Sequence, residues 1–107
     1  MKVYIVDIDG TICTQNHFKN GNRDYEQAKP MKERIKKINQ LYEKGDEVHY
    51  WTARGSKTGI DHLELTKRQL KKWGCRYTSL RVGDKPYYDL WIDDKAIFSE
   101  EYFNNIN

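Results

Sequence analysis

Residues Val3, Tyr4, Ile5, Val6 and Ile8 make a nearly continuous apolar run, rich in β-branched types. A strand with one wet face would alternate apolar and polar residues, and this one does not. It reads as a strand over Lys2–Ile8 buried on both faces, as in a parallel sheet. Asp9-Gly10 ends it with a turn signal.

The rest of the chain fits that beginning. Residues Thr11–Lys29 carry Asn16, Asn20, Gly21, Asn22 and Asp24 and read as a loop or small flap, with a short hairpin inside it. A helix is expected from Pro30 to about Lys44, with Ile35, Ile38, Leu41 and Tyr42 on one face and Gly45 as its stop. Glu47–Thr52 reads as a second strand. A second helix, roughly Gly59 to Trp73, places Ile60, Leu63, Leu70 and Trp73 on one stripe and ends at Gly74. Tyr77–Val82 and Tyr88–Ile92 are the third and fourth expected strands. Ala96–Asn107 is a short helix or a frayed tail. Strands alternating with helices define an α/β class with a parallel sheet.

The chain has 107 residues, enough for a single domain over 1–107 and for no separate substrate-binding domain. A third of the residues are charged, and 19 basic against 16 acidic residues give +3. That balance favours an anionic substrate mildly. The bases are mixed with acids rather than massed, so nucleic acid is not the favoured partner. Cys13 and Cys75 form no metal-ligand spacing and are expected as reduced thiols, which with no leader pattern points to the cytoplasm. No apolar run approaches the roughly 20 residues needed to span a membrane.

In a parallel α/β sheet, ligands bind beyond the carboxyl ends of the strands. Polar residues collect there: Asp7-Ile8-Asp9-Gly10-Thr11 after the first strand, Thr52 after the second and Asp93-Asp94 after the fourth, with Lys85 just ahead of it. Three or four carboxylates together need a cation, and hard oxygen ligands suit Mg²⁺. A lysine and a threonine hydroxyl suit the oxygens of a phosphate. Asp7 and Asp9 lie two apart and would point the same way from an ideal strand. One could attack phosphorus while the other handles a proton, although spacing alone does not assign the roles.

These residues resemble the motifs of the haloacid dehalogenase (HAD) superfamily of phosphotransferases. Asp7 to Thr11 match its Asp-x-Asp-Gly-Thr motif at every position. Val48–Thr52 resembles its hydrophobic strand ending in Thr or Ser, Lys85 its lysine, and Leu90–Asp94 its strand with an acidic pair, all in the family's order. The resemblance implies a three-layer Rossmann-like domain and a phosphoric monoester hydrolase. Asp7 would be the nucleophile that forms an aspartyl-phosphate, and Asp9 the acid and then the base. Thr52 and Lys85 would hold phosphoryl oxygens. Mg²⁺ would sit on the Asp7 carboxylate, the Asp9 carbonyl and Asp93, with Asp94 acting through water or from behind.

Lys85 lies only eight residues before Asp93, so Lys57, Lys67 and Lys71 stand as alternatives. The segment between the first motif and the first helix is too short for a cap domain, and a flap of about 13–25 is the only local cover. Arg54 is a natural anion ligand or a structural ion-pair partner, and His17, Lys19 and Arg23 could read a leaving group. His49, His62 and the tryptophans read as structural. The run from Lys85 to Lys95 also resembles small phosphatases of capsule polysaccharide and sugar-nucleotide biosynthesis.

The expected substrate is therefore a small phosphorylated metabolite such as a sugar phosphate, and a homo-oligomer could supply the missing wall. Nucleic-acid ends or a phosphoprotein are the alternative substrates. A non-catalytic receiver-like domain is the alternative class, but in receivers the acidic pair comes first and the lysine last.

Overall fold

The computed structural model describes residues 1–104. The amino-terminal apolar run forms strand β1 (Val3–Val6). It stops two residues before the expected Ile8, because the Ile8 carbonyl accepts the amides of Thr11 and Ile12 and turns the chain out of the ladder. Gly10 takes φ +79° in that turn, a conformation that favours glycine. The following segment holds the hairpin β2 (Phe18–Lys19) and β3 (Asn22–Arg23), then a single 3₁₀ turn at Tyr25–Gln27.

Helix α1 spans Lys32–Glu43, two residues short of the expected start. Pro30 is used otherwise: it bridges to Cys13, and Met31 donates its amide to the Ile12 carbonyl at 2.8 Å. Strand β4 (Glu47–Thr52) follows. Helix α2 (Leu63–Lys72) begins where the Asp61 carboxylate accepts the Leu63 amide at 2.9 Å, later than the expected Gly59. Both helices end in a left-handed glycine, Gly45 and Gly74, with the next amide reaching back to Leu41 and Leu70. Strand β5 is Ser79–Val82 and helix α3 is Ser99–Asn104. The last three residues of the expected tail lie outside the described residues.

The sheet is parallel, in the order β1-β4-β5. Both crossovers step the same way along it, so a right-handed connection puts α1 and α2 on the same face. Tyr4 and Val6 lie on that face beside Val48 and Tyr50 and pack with Ile35, Ile38 and Leu70 into the core. α3 closes one side of the core with Phe103.

The opposite face departs from the sequence expectation. Val3 and Ile5 are 57% and 62% exposed, so among the described residues the third layer is not formed. Trp91 offers partial cover, edge-on to Trp51 with ring centroids 6.2 Å apart. The expected fourth strand over Tyr88–Ile92 is not formed either. Those residues have strand-like composition, but a ladder needs a neighbour's amides and carbonyls, and this segment has none. It runs outward as an irregular arm with Leu90 and Ile92 74% and 88% exposed. No helix among the described residues is long and apolar enough to cross a membrane.

Candidate functional site at the carboxyl edge of the sheet

Asp7 follows β1 directly and so stands at the carboxyl edge of the sheet. Its Oδ2 accepts the Thr11 hydroxyl at 3.3 Å, a contact made possible by the tight turn through Gly10. Its Oδ1 accepts the Lys85 ammonium at 3.2 Å. Lys85 arrives there because β5 ends at Val82, two strands away, and the next turn swings back over the edge. The Gly83 amide bonds the Thr52 carbonyl in that turn. Burial pushes the Asp7 carboxyl above its ordinary value, and the Lys85 charge opposes that rise. The competing lysines look elsewhere: Lys57 lies over the Tyr87 ring and Lys67 reaches Glu64.

Asp9 is held differently. Arg54, at the end of β4, is fully buried and forks onto both Asp9 oxygens, Nε to Oδ2 at 2.9 Å and Nη2 to Oδ1 at 2.8 Å. The remaining guanidinium donors go to Thr66 Oγ1, Gln69 Oε1 and the Cys13 sulfur, and the Tyr25 ring covers its face. All five N–H groups thus have an acceptor. Burial and the nearby Asp9 push the Cys13 thiol far up, so it stays neutral and is no nucleophile. Thr52 is buried, and its hydroxyl accepts the Arg54 amide at 3.2 Å, shaping the turn that delivers the guanidinium.

The flap leans over Asp9. Thr14, His17, Arg23 and Tyr25 line a small recess with it. His17 bonds the Thr14 hydroxyl at 2.7 Å, and Arg23 bonds Asn16 and stacks on Phe18, so both are engaged within the flap. His49 sits between Glu47 and Ser79, a structural setting. A cleft of about 770 Å³ along α1, lined from Ala28 to Trp73, contains none of these groups.

Asp93 and Asp94 are not brought to Asp7. Both are exposed on the arm, where Asp93 accepts Trp91 Nε1 at 3.3 Å and the Lys95 amide at 3.1 Å. Among the described residues no three His, Cys, Asp or Glu side chains gather as a metal site would require. The donors expected for Mg²⁺ are therefore incomplete in a single copy of this chain.

Sequence reasoning allowed Arg54 the structural ion pair that it makes with Asp9, but missed the cradle of Thr66, Gln69 and Cys13 around it. A signal existed: Thr66 sits between Leu63 and Leu70 on the inward stripe of α2, a polar interruption that asks for a buried partner. The contact of Ser99 Oγ with the Gly10 carbonyl, 3.3 Å, had no signal in the pattern.

Fold and edge together define an α/β protein, consistent with a Rossmann-like fold, whose polar groups converge beyond the strands. A crystal structure of a structural-genomics target from Vibrio cholerae resembles it with a TM-score of 0.79 and 27% identity, over all of this chain and 90% of that one. No protein-family model matches the chain, and no curated protein matches it.

Proposed function

We propose that the chain is a phosphomonoesterase of the HAD type, without a cap domain, in which Asp7 is the nucleophile. The observation that carries this reading is the Lys85 ammonium on the Asp7 carboxylate at the sheet's carboxyl edge, contributed from 78 residues away. A carboxylate alone repels a phosphate dianion. With a lysine beside it, the same carboxylate can meet phosphorus while the cation draws in the phosphoryl oxygens.

In the proposed reaction an Asp7 oxygen attacks phosphorus in line. The P–O bond to the leaving group breaks as the P–O bond to Asp7 forms. Water then attacks the aspartyl-phosphate, releasing inorganic phosphate and free Asp7. Asp9, with both carboxylate oxygens engaged by Arg54, is the group placed to give a proton to the leaving oxygen and then to take one from that water. Protonating the leaving group requires a neutral Asp9, so one Arg54 bond must open during the first half-reaction. Mg²⁺ belongs to the proposal as a neutraliser of phosphate charge, with the Asp7 carboxylate and Asp9 carbonyl as ligands. Among the described residues of one chain the third ligand is missing, so no step here runs through the cation. The substrate class proposed is a small phosphorylated metabolite such as a sugar phosphate.

The test is release of phosphate from an aryl phosphate and a panel of sugar phosphates, with and without Mg²⁺, for the wild type and Asp7→Asn. Metal-dependent hydrolysis that disappears in Asp7→Asn is the expected result. An Asp7→Asn protein as active as its parent would overturn the mechanism.

A further inference from the structure

β1 is an edge strand: it pairs with β4 on one side, and its other edge has no strand against it among the described residues. Edge strands left open beside apolar residues such as Val3 and Ile5 are templates for another strand. The same molecule carries a displaced segment of strand-like sequence, Asp89-Leu90-Trp91-Ile92, equally uncovered. Both ends of that arm are fixed at the carboxyl edge: Lys85 on Asp7, and Ser99 on the Gly10 carbonyl.

This tethering decides which copy of β1 the arm can join. A strand bringing Asp93 level with Asp7 must run parallel to β1, with Asp89 level with Val3. A parallel return needs a crossover of about a dozen residues or more. Only residues 83–88 lie between β5 and Asp89, and β4 lies between β5 and β1. The arm's own β1 is thus out of reach in the parallel sense. Descending from the carboxyl edge, the arm could only run antiparallel to it, leaving Asp93 about 13 Å away at the Val3 end, four residue steps of 3.3 Å.

A copy related by a two-fold axis presents β1 in the opposite direction. The same descending arm is parallel to that strand and arrives at its carboxyl end. The return from Asp93 to Ser99 has six steps, or about 20 Å when extended, against about 13 Å along the strand direction. We infer that residues 86–98 are an exchanged arm: in a two-fold dimer, Asp89–Ile92 of each copy adds as a parallel strand to the free edge of β1 in the other. Asp93 then stands beside the partner subunit's Asp7. The exchange rests on topology alone, and only the role given to Asp93 rests on the phosphatase reading. It explains why one chain lacks a third metal ligand, since each site draws residues from two copies.

Three measurements separate the two claims. Light scattering should give twice the 12.8 kDa chain mass. Separately purified Ile5→Cys and Trp91→Cys proteins, co-refolded and treated with a short thiol cross-linker, should yield a covalent pair containing one of each. Ile5→Cys alone should yield no covalent dimer. A monomer, or a link that forms only within a chain carrying both cysteines, overturns the exchange. For the site, Asp7→Asn and Asp93→Asn are each expected to be inactive, but their co-refolded mixture should regain about a quarter of wild-type activity, because half the dimers are mixed and each holds one intact site. An active wild type with an inactive mixture of two folded variants overturns the shared site. An inactive wild type sinks the phosphatase reading, and the cross-link then decides the exchange by itself.

Discussion

Removing Asp9 should damage stability more than removing the arginine that holds it. Arg54 is 1% exposed, whereas 20% of the Asp9 side chain reaches solvent. Asp9→Ala strands a buried guanidinium: two of its five donors lose their acceptors, and the only carboxylate bonded to it disappears. Each orphaned buried donor costs about 1–3 kcal/mol, and breaking a buried ion pair from one side costs about 3–5 kcal/mol. Partial solvent access to Asp9 places this pair at the lower end, near 3 kcal/mol. For a domain of about 100 residues that lowers Tm by on the order of 15 °C. Arg54→Met instead leaves a carboxylate that water can reach, and about 2 kcal/mol is expected. The double variant Asp9→Ala/Arg54→Met should be no less stable than Asp9→Ala alone, because the stranded charge is gone. Urea unfolding followed by tryptophan fluorescence measures all four proteins. A loss below about 1 kcal/mol for Asp9→Ala, or simple additivity in the double variant, would refute the argument that Arg54 depends on Asp9. The result also bears on function, since lost activity in Asp9→Ala counts against a catalytic base only if the protein is still folded.

Three further outcomes are expected. Burial raises the Asp7 carboxyl and the Lys85 charge opposes that rise, so Lys85→Met should move the acid limb of kcat/KM to higher pH. The same raised value means the folded state binds this proton more tightly than the unfolded chain. Asp7's contribution is therefore most favourable below pH 3.8 and is lost as pH rises through the folded pKa, so Asp7→Asn should melt no lower than the wild type at neutral pH. Gly55→Ala should cost more than about 1 kcal/mol in thermal unfolding, since Gly55 has φ +87° and its new Cβ would collide with the Ile60 carbonyl oxygen; an unchanged Tm would show that the loop before α2 is not held as described.

What the sequence made legible was local. The stripes of Ile35, Ile38 and Leu41 and of Leu63 and Leu70 predict two helices because one apolar face is enough to specify a helix. Asp7 and Thr11 were readable because the turn joining them lies within five residues. Lys85 was readable as a candidate only, since its meeting with Asp7 depends on where β5 ends. The Arg54 cradle draws on four separated segments, Asp9, Cys13, Tyr25 and α2, and no local pattern specifies such a convergence.

The one large departure, at Tyr88–Ile92, shows where local reading stops. Its composition specifies a strand, and the apolar run of β1 specifies a strand covered on both faces, yet here neither has its cover. Both expectations concern how much apolar surface must be buried, and neither says against which copy of the chain. The six-residue link from β5 supplies that information, because it is too short for a parallel return. The two apolar runs are therefore consistent with their exposure in one chain and their burial in two. On this argument the link length is the controlling variable. Inserting a dozen flexible residues after Pro86, beyond the Lys85 tether, should let each arm reach its own β1, converting the dimer into a monomer that retains Asp93 beside its own Asp7. Light scattering of that variant, with the cross-link now formed inside a single chain between Ile5→Cys and Trp91→Cys, checks it. A dimer that survives the insertion unchanged would mean that something other than link length drives the exchange.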